Sequence, residues 1–121
     1  MVDAAWRNLV VTGRAYNFKE IDAQSIPFAD EAFDVVIANH MLYHVPDKPK
    51  AIAEIKRVLK TSGHFFATTV GDNHLKEITN WFRQIHKSEI WESFANLFTL
   101  ENGLGQLKPL FPNVTLSHYE D

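Results

Sequence analysis

The spacing of apolar residues along the chain alternates between the two periods of regular secondary structure. Residues 33–38 form a nearly continuous apolar run, which is typical of a strand covered on both faces of a parallel sheet. β-Favouring residues predict further strands at 16–21, 64–70 and 114–119. Helical spacing predicts helices at 3–9, 75–85, 89–98 and 99–110.

The clearest helix begins after Asp47. Asp47 can cap its first turn, and Pro49 lies in that turn, where its missing N–H costs nothing. Apolar residues then recur at helical spacing, at positions 51, 52, 55, 58 and 59. Basic side chains complement the negative pole of the helix dipole, namely Lys56, Arg57 and Lys60. Gly63 is expected to take the left-handed conformation that stops the helix.

The alternation of strands and helices predicts an α/β layer fold. The chain has 121 residues, of which 45% are hydrophobic, enough for one domain spanning residues 1–121 with its own core. Neither an internal repeat nor an interdomain linker interrupts it.

Charge and cysteine content narrow the classes of function. A net charge of -3 without a basic cluster gives little electrostatic reason to bind nucleic acid or an anionic membrane. The absence of cysteine excludes a disulfide framework and a thiolate metal site. With no apolar leader or spanning run in the sequence, we expect a cytoplasmic protein with small-molecule or protein partners.

Residues 21–63 closely resemble the middle of the class I S-adenosylmethionine-dependent methyltransferases of the ubiquinone/menaquinone C-methyltransferase-like type. The resemblance is carried by DA at 22–23, PF at 27–28, FDVV at 33–36, LYHV at 42–45, and EIKRVLK at 54–60 followed by Gly63. It implies a three-layer Rossmann-like sheet, S-adenosylmethionine as cofactor and methyl transfer to a small-molecule acceptor.

The resemblance also assigns roles around the carboxyl ends of the strands, where open α/β sheets bind ligands. It implies that Asp22 accepts a hydrogen bond from the adenine amino group and that the Ala23 amide helps to read the ring, with Gln24 beside them. Asn39 and His40 would lie next to the methionine portion of the cofactor. The alternative interpretation is that Asp22 is a local turn cap and that the pair at 39–40 is a polar strand end.

His44 is our candidate general base, because a near-neutral imidazole suits proton removal. The alternative is a structural histidine. His40 and His44 are four residues apart, but the segment between them lacks the glutamate of the zinc-protease motif, and no third ligand is evident, so no metal site is predicted.

Two further groups have alternative interpretations. Asp30, Glu31 and Asp34 resemble paired catalytic carboxylates, but a solvated turn and a structural strand residue are expected. Aromatic residues at 81, 82, 91, 94 and 98 would line an acceptor pocket or form part of the core.

The family's glycine-rich cofactor loop has no room in the 21 residues before Asp22. Residues 1–9 resemble the family's second helix and residues 111–121 its sixth strand. The resemblance therefore implies an N-terminally truncated chain, the C-terminal two thirds of the fold, with strands 1, 2 and 7 missing. In the family's strand order of 3-2-1-4-5-7-6, only strands 4 and 5 would remain neighbours.

Three functional interpretations follow. In the first, the chain is a methyltransferase on an unidentified small molecule and is inactive or weak alone. In the second, it is a non-catalytic module that forms a homodimer and binds no cofactor. In the third, a cofactor pocket is rebuilt at a dimer interface. Unpaired strands leave backbone groups unsatisfied, so either the remaining strands rearrange into a smaller sheet or two chains pair across the gap. We favour pairing between two chains.

Overall fold

A computed structural model describes residues 2–71 and 98–119 of the protein. Its helices are α1 (Val2–Val10), α2 (Lys48–Val58) and α3 (Leu100–Leu107), and its strands are β1 (Phe33–Asn39) and β2 (Leu59–Thr68). A short 3-10 helix, Leu42–His44, follows β1. Within the described ranges no helix is long and apolar enough to cross a membrane.

β1 and β2 pair in parallel, with Val36 opposite Phe65 and Ala38 opposite Ala67. Parallel neighbours need a crossover connection, and α2 provides it. The predicted strands at 33–38 and 64–70 are therefore confirmed, although β2 begins five residues earlier than predicted and ends at Thr68. This βαβ unit is the part of the α/β fold that the described residues form.

The start of α2 agrees with its prediction. The Asp47 carboxylate accepts a hydrogen bond from the Lys50 amide at 3.0 Å, and Pro49 lies within the first two helical positions. The buried face of α2 packs on one side of the sheet, and the core consists of Ala38, Leu42, Ile52, Ile55, Phe98 and Leu107. Local capping and apolar spacing therefore suffice to fix this helix.

The end of α2 does not agree, because Gly63 does not stop it. The helix ends at Val58, and Leu59 already has extended backbone as the first residue of β2. Gly63 lies inside β2, where the register shifts, and a Cβ there would come within 2.8 Å of the Asp34 carbonyl oxygen. The glycine permits close approach of two strands. Lys60 also lies in β2, where it pairs with Asp34 at 2.8 Å instead of complementing the helix.

The predicted strands at 16–21 and 114–119 are wrong. Both segments lack secondary structure, and the one bridge near the first is an isolated contact between Asp22 and Ser25. Alternating apolar residues favour a strand but do not supply a ladder partner. Instead the Tyr16 and Phe18 rings pack together with centroids 6.1 Å apart. Among the described residues, the sheet therefore has two strands.

Within residues 2–71 and 98–119 the sheet is covered on one face, whereas β1 was expected to be covered on both. Val36, Ala38, Phe65 and Ala67 face the core. The opposite face exposes 47% of Val35, 62% of Ile37 and 55% of Phe66. We call these three side chains the open sheet face.

The other two described helices are α1 and α3. The predicted helix at 3–9 is confirmed as α1, and it ends before Gly13, whose φ of 69° is left-handed. Thr99 is the N-cap residue of α3, and its amide donates to Asn102 Oδ1 at 2.9 Å. The helix ends at Leu107, so it is shorter than the predicted 99–110. The predicted helix at 75–85, and the predicted helix at 89–98 apart from its last residue, lie outside the described residues.

Candidate functional site

An open cleft of about 430 Å³ lies beside the carboxyl-terminal half of β1. Four of the predicted site residues line it, namely Asp22, Ala23, Gln24 and His44. Asn39 and His40 are not among its lining residues. The rest of the wall is largely apolar and comes from the end of β1, from residues 41, 45 and 46, and from Ile21, Ile26 and Ile55.

Asp22 forms a tight local turn. Its Oδ1 accepts hydrogen bonds from the Gln24 amide at 2.8 Å and from Gln24 Nε2 at 3.1 Å, and its carbonyl accepts from the Ser25 amide at 3.0 Å. The hydrogen bond from the Gln24 backbone lowers the pKa of Asp22, so the carboxylate is ionised at neutral pH. The turn-cap interpretation therefore describes its local contacts. Two carboxylate oxygens still have capacity to accept a donor from a ligand.

Gln24 joins this turn to the start of α2. Its Oε1 accepts a hydrogen bond from the Asp47 amide at 3.2 Å, while its Nε2 donates to Asp22. The side chain thus bridges the cleft wall and the helix cap. Both polar atoms of the Gln24 side chain, Oε1 and Nε2, form hydrogen bonds within the protein, so the turn and the helix cap together fix its position.

Arg57 and Glu54 of α2 hold the loop that follows the turn. Arg57 Nε and Nη2 each donate to a Glu54 carboxylate oxygen at 2.8 Å. The same guanidinium donates to the carbonyls of Ile26 and Phe28 at 2.8 and 2.9 Å, and to Asp30 at 2.8 Å. Glu54 in turn accepts from the Ile26 amide at 2.8 Å. We call this pair of side chains the Arg57–Glu54 clamp.

Sequence reasoning missed the clamp. It assigned Arg57 to the helix dipole, whereas the loop groups that Arg57 contacts lie 27 to 31 residues away along the chain. The spacing of Glu54 and Arg57 indicates an ion pair on one helix face. No local pattern indicates which loop that pair binds.

Asn39 and His40 lie at the carboxyl end of β1, next to Thr68 of β2. The His40 amide donates to both the carbonyl and the hydroxyl oxygen of Thr68, each at 3.1 Å, and the Thr68 hydroxyl lies 3.4 Å from Asn39 Oδ1. His40 has a φ of 48°, in the left-handed region. Such backbone in a residue other than glycine persists only when the surrounding structure holds it.

His44 ends the 3-10 helix and is exposed beside the cleft. Its ring packs against Tyr43 with centroids 4.4 Å apart, and its amide donates to the Met41 carbonyl. The imidazole is therefore accessible to a molecule in the cleft. No cluster of three or more potential metal ligands occurs among the described residues.

The acidic residues at 30, 31 and 34 have structural partners. Asp30 pairs with Arg57, and Asp34 pairs with Lys60. Glu31 accepts hydrogen bonds from Thr61. Phe98 is buried in the core, while the other four aromatic residues of the predicted pocket lie outside the described residues.

Comparison with known proteins identifies the family. A family model described as a methyltransferase domain matches residues 1–67. Malonyl-[acyl-carrier protein] O-methyltransferase of Erwinia pyrifoliae is 31% identical over 96 residues, covering 79% of this chain and 37% of the relative. The ubiquinone/menaquinone C-methyltransferase UbiE of Haemophilus ducreyi is 44% identical over 57 residues, covering 47% of this chain and 22% of the relative. The chain thus spans well under half the length of these relatives.

Solved structures show the same fold. The YcgJ protein of Bacillus subtilis aligns with a TM-score of 0.56 at 31% identity, covering 69% of this chain and 38% of that protein. A methyltransferase-class protein of Bacillus halodurans aligns with a TM-score of 0.67 at 19% identity, covering 90% and 47%. The parallel βαβ unit corresponds to part of a Rossmann-like fold. The chain belongs to the class I S-adenosylmethionine-dependent methyltransferase family.

Proposed function

We propose that this chain binds S-adenosylmethionine in the cleft beside β1 and takes part in methyl transfer to a small molecule. The observation that carries the proposal is the convergence of Asp22, Ala23 and His44 on one open cleft. Family membership implies use of this cofactor. The Asp22 carboxylate is ionised and exposed, so it can accept a hydrogen bond from the adenine amino group.

Methyl transfer from a sulfonium cofactor requires the protein mainly to align the acceptor with the methyl group. The bound cofactor would supply an activated methyl group on a sulfonium centre. The chain's residues would hold the acceptor in line with that group and exclude water. Where the acceptor atom carries a proton, the exposed His44 imidazole is the candidate base that removes it. Asn39 and His40 would lie toward the methionine portion.

The proposal includes weak methyltransferase activity of this chain alone. Gly13 is the one glycine before Asp22 in the sequence, so these residues contain no glycine-rich cradle for the cofactor's carboxylate. The named relatives include malonyl-[acyl-carrier protein], ubiquinone/menaquinone and sterol methyltransferases. Because those acceptors differ, the likeness supports methyl transfer but not one acceptor. The net charge of -3 gives little electrostatic reason for a nucleic-acid or anionic-membrane partner. A cytoplasmic location is part of the proposal.

Calorimetric titration with S-adenosylhomocysteine, the demethylated product, tests this proposal. We expect measurable binding that Asp22→Ala weakens about tenfold or more, since a charge-assisted hydrogen bond contributes roughly 1.5 to 3 kcal/mol. Asp34→Ala is the matched control, because Asp34 is an exposed carboxylate that is not part of the cleft. No binding at millimolar ligand, or equal losses in both variants, would contradict the proposed site.

A second candidate function is a homodimeric module that binds no cofactor. The open sheet face favours it, because three large apolar side chains without charge are exposed side by side on paired strands. A second copy of the chain presents the same apolar surface, so the two faces can bury these side chains against each other.

Light scattering at micromolar concentration tests the dimer. We expect twice the mass of one chain, reduced to one by Phe66→Glu, which would bury a carboxylate in the contact; Phe66 is exposed on the open sheet face and does not line the cleft. Val11→Glu is the control, since Val11 is exposed but lies outside the sheet. A single-chain mass for the unaltered protein would contradict the dimer. Because Phe66 lies outside the cleft, loss of both dimer and ligand binding in Phe66→Glu would favour a cofactor pocket at the interface.

A further inference from the structure

One guanidinium in this fold has every one of its donors engaged. Arginine carries five N–H groups in a fixed plane. Arg57 makes five hydrogen bonds, two to Glu54 and three to residues 26–30, all between 2.8 and 2.9 Å. An exposed helix-surface pair has no need of such saturation, so the arrangement serves the loop that it contacts.

That loop is a wall of the cleft without secondary structure of its own. Ile26 lines the cleft, and the Asp22–Ser25 turn directly precedes it. Two attachments hold this wall to α2. Gln24 joins its start to Asp47, and the Arg57–Glu54 clamp fixes both the amide and the carbonyl of Ile26.

The clamp acts from outside the cleft. Neither Arg57 nor Glu54 is among the residues that line it, although Ile55, between them, is. Their side chains are 32% and 21% exposed, so solvent reaches the pair and its Coulomb attraction is screened. Its contribution is therefore geometric, since a planar bidentate fork fixes position more strictly than a point charge.

We infer that Arg57 is a positioning residue for the cofactor cleft, which holds the wall containing Asp22 and Ala23 at the place where it meets the adenine ring. This inference rests on the proposed function for its ligand. Its structural half, that Arg57 fixes residues 24–28, does not.

Arg57→Lys is the informative substitution. Lysine keeps the charge and the aliphatic stem but lacks the fork, so it reaches one or two of the five acceptors. Lys60→Gln is the matched control, because it removes a cationic partner of similar exposure, paired with Asp34, in β2 just after α2 ends. Both variants are compared with the unaltered chain by S-adenosylhomocysteine titration and by amide hydrogen exchange.

We expect Arg57→Lys to weaken ligand binding about tenfold and to speed exchange at the amides of residues 24, 25, 26 and 28, while the β1 amides remain protected. Lys60→Gln should change neither. Guanidinium chloride at low millimolar concentration should partly restore binding to Arg57→Ala, whereas ammonium chloride at equal ionic strength should not. If Arg57 only contributed general stability, guanidinium and ammonium would not differ in restoring ligand binding.

The outcomes separate the two claims. If the unaltered chain binds no ligand, the proposed function fails, and amide exchange alone tests the inference. Unchanged protection of residues 24–28 in Arg57→Lys would then overturn it. If the ligand binds equally well to Arg57→Lys, the inference is overturned while the proposed function stands. Should Arg57→Lys fail to fold, Glu54→Gln replaces it, with a smaller loss of about threefold expected and unchanged affinity overturning the inference.

Discussion

His40 holds an unfavourable backbone conformation at the point where β1 ends. Its left-handed φ of 48° turns the chain sharply out of the strand, and its amide is fixed by Thr68 on the neighbouring strand. Asparagine tolerates this region, whereas a β-branched residue does not. The backbone of His40 is therefore constrained independently of any role for its imidazole.

We expect His40→Val to lower the free energy of unfolding by about 1 to 2 kcal/mol, since the β-branched side chain clashes in the left-handed region. His40→Asn should lie within about 0.5 kcal/mol of the unaltered chain. Urea unfolding followed by circular dichroism measures both. Equal stabilities for the two variants would show that the strained conformation does not persist in solution.

Single residues were predictable from sequence where their partners are local. Asp47 caps α2 by bonding an amide three residues on, so its role follows from its position. Arg57 was misassigned because its loop partners are distant in sequence. Asp22 falls between these cases. Its turn is local, whereas the cleft beside it forms only after β1 and α2 pack together.

Helices and strands, like single residues, were predictable from sequence where local patterns determine them. α2 and β1 have patterns that specify them without reference to the rest of the chain. The segments at 16–21 and 114–119 have comparable patterns, but a strand also needs a neighbour, and pattern cannot supply one. Gly63 shows a related error. A glycine after a helical pattern indicates a stop, yet here the close approach of Asp34 requires it.

Two glycines in α3 allow a matched test of packing against helix propensity. A Cβ on Gly105 meets nothing within 4 Å, so Gly105→Ala should stabilise the protein by about 0.4 to 1 kcal/mol. A Cβ on Gly103 would come within 2.9 Å of the buried Phe98 ring. Gly103→Ala should therefore destabilise by about 1 to 3 kcal/mol despite the same gain in propensity.

Thermal unfolding of both variants by circular dichroism distinguishes them by sign. A rise in melting temperature for Gly103→Ala would show that Phe98 does not pack against α3 as described. Unchanged stability for Gly105→Ala would indicate that α3 is already frayed at its end.

At the scale of the whole molecule, paired carboxylates set the response to acid. Hydrogen bonds from Arg57 lower the pKa of Glu54 to about 2, and Lys60 lowers that of Asp34. Because these pKa values fall on folding, their stabilisation is fully present above the unfolded pKa of about 4 and is lost as pH falls toward 2.

We expect urea midpoints to be constant near neutrality and to fall between about pH 4.5 and 2, with a shallower fall in Glu54→Gln. The Glu54 variant loses a group whose protonation drives that decline. Asp47→Asn is a suitable comparison, because it also removes one carboxylate charge while retaining a capping side chain. Identical slopes for Glu54→Gln and the unaltered chain would contradict the assigned pairing.

The parallel pairing of β1 with β2 also affects the order in which the chain folds. Val36 and Phe65 cannot meet until the connection through α2 has closed, and such non-local pairing is slow compared with helix formation. α2, with its local cap, can form within microseconds and bring the strands within reach. Substitutions at the cap should therefore slow folding, whereas substitutions along the strands should mainly speed unfolding.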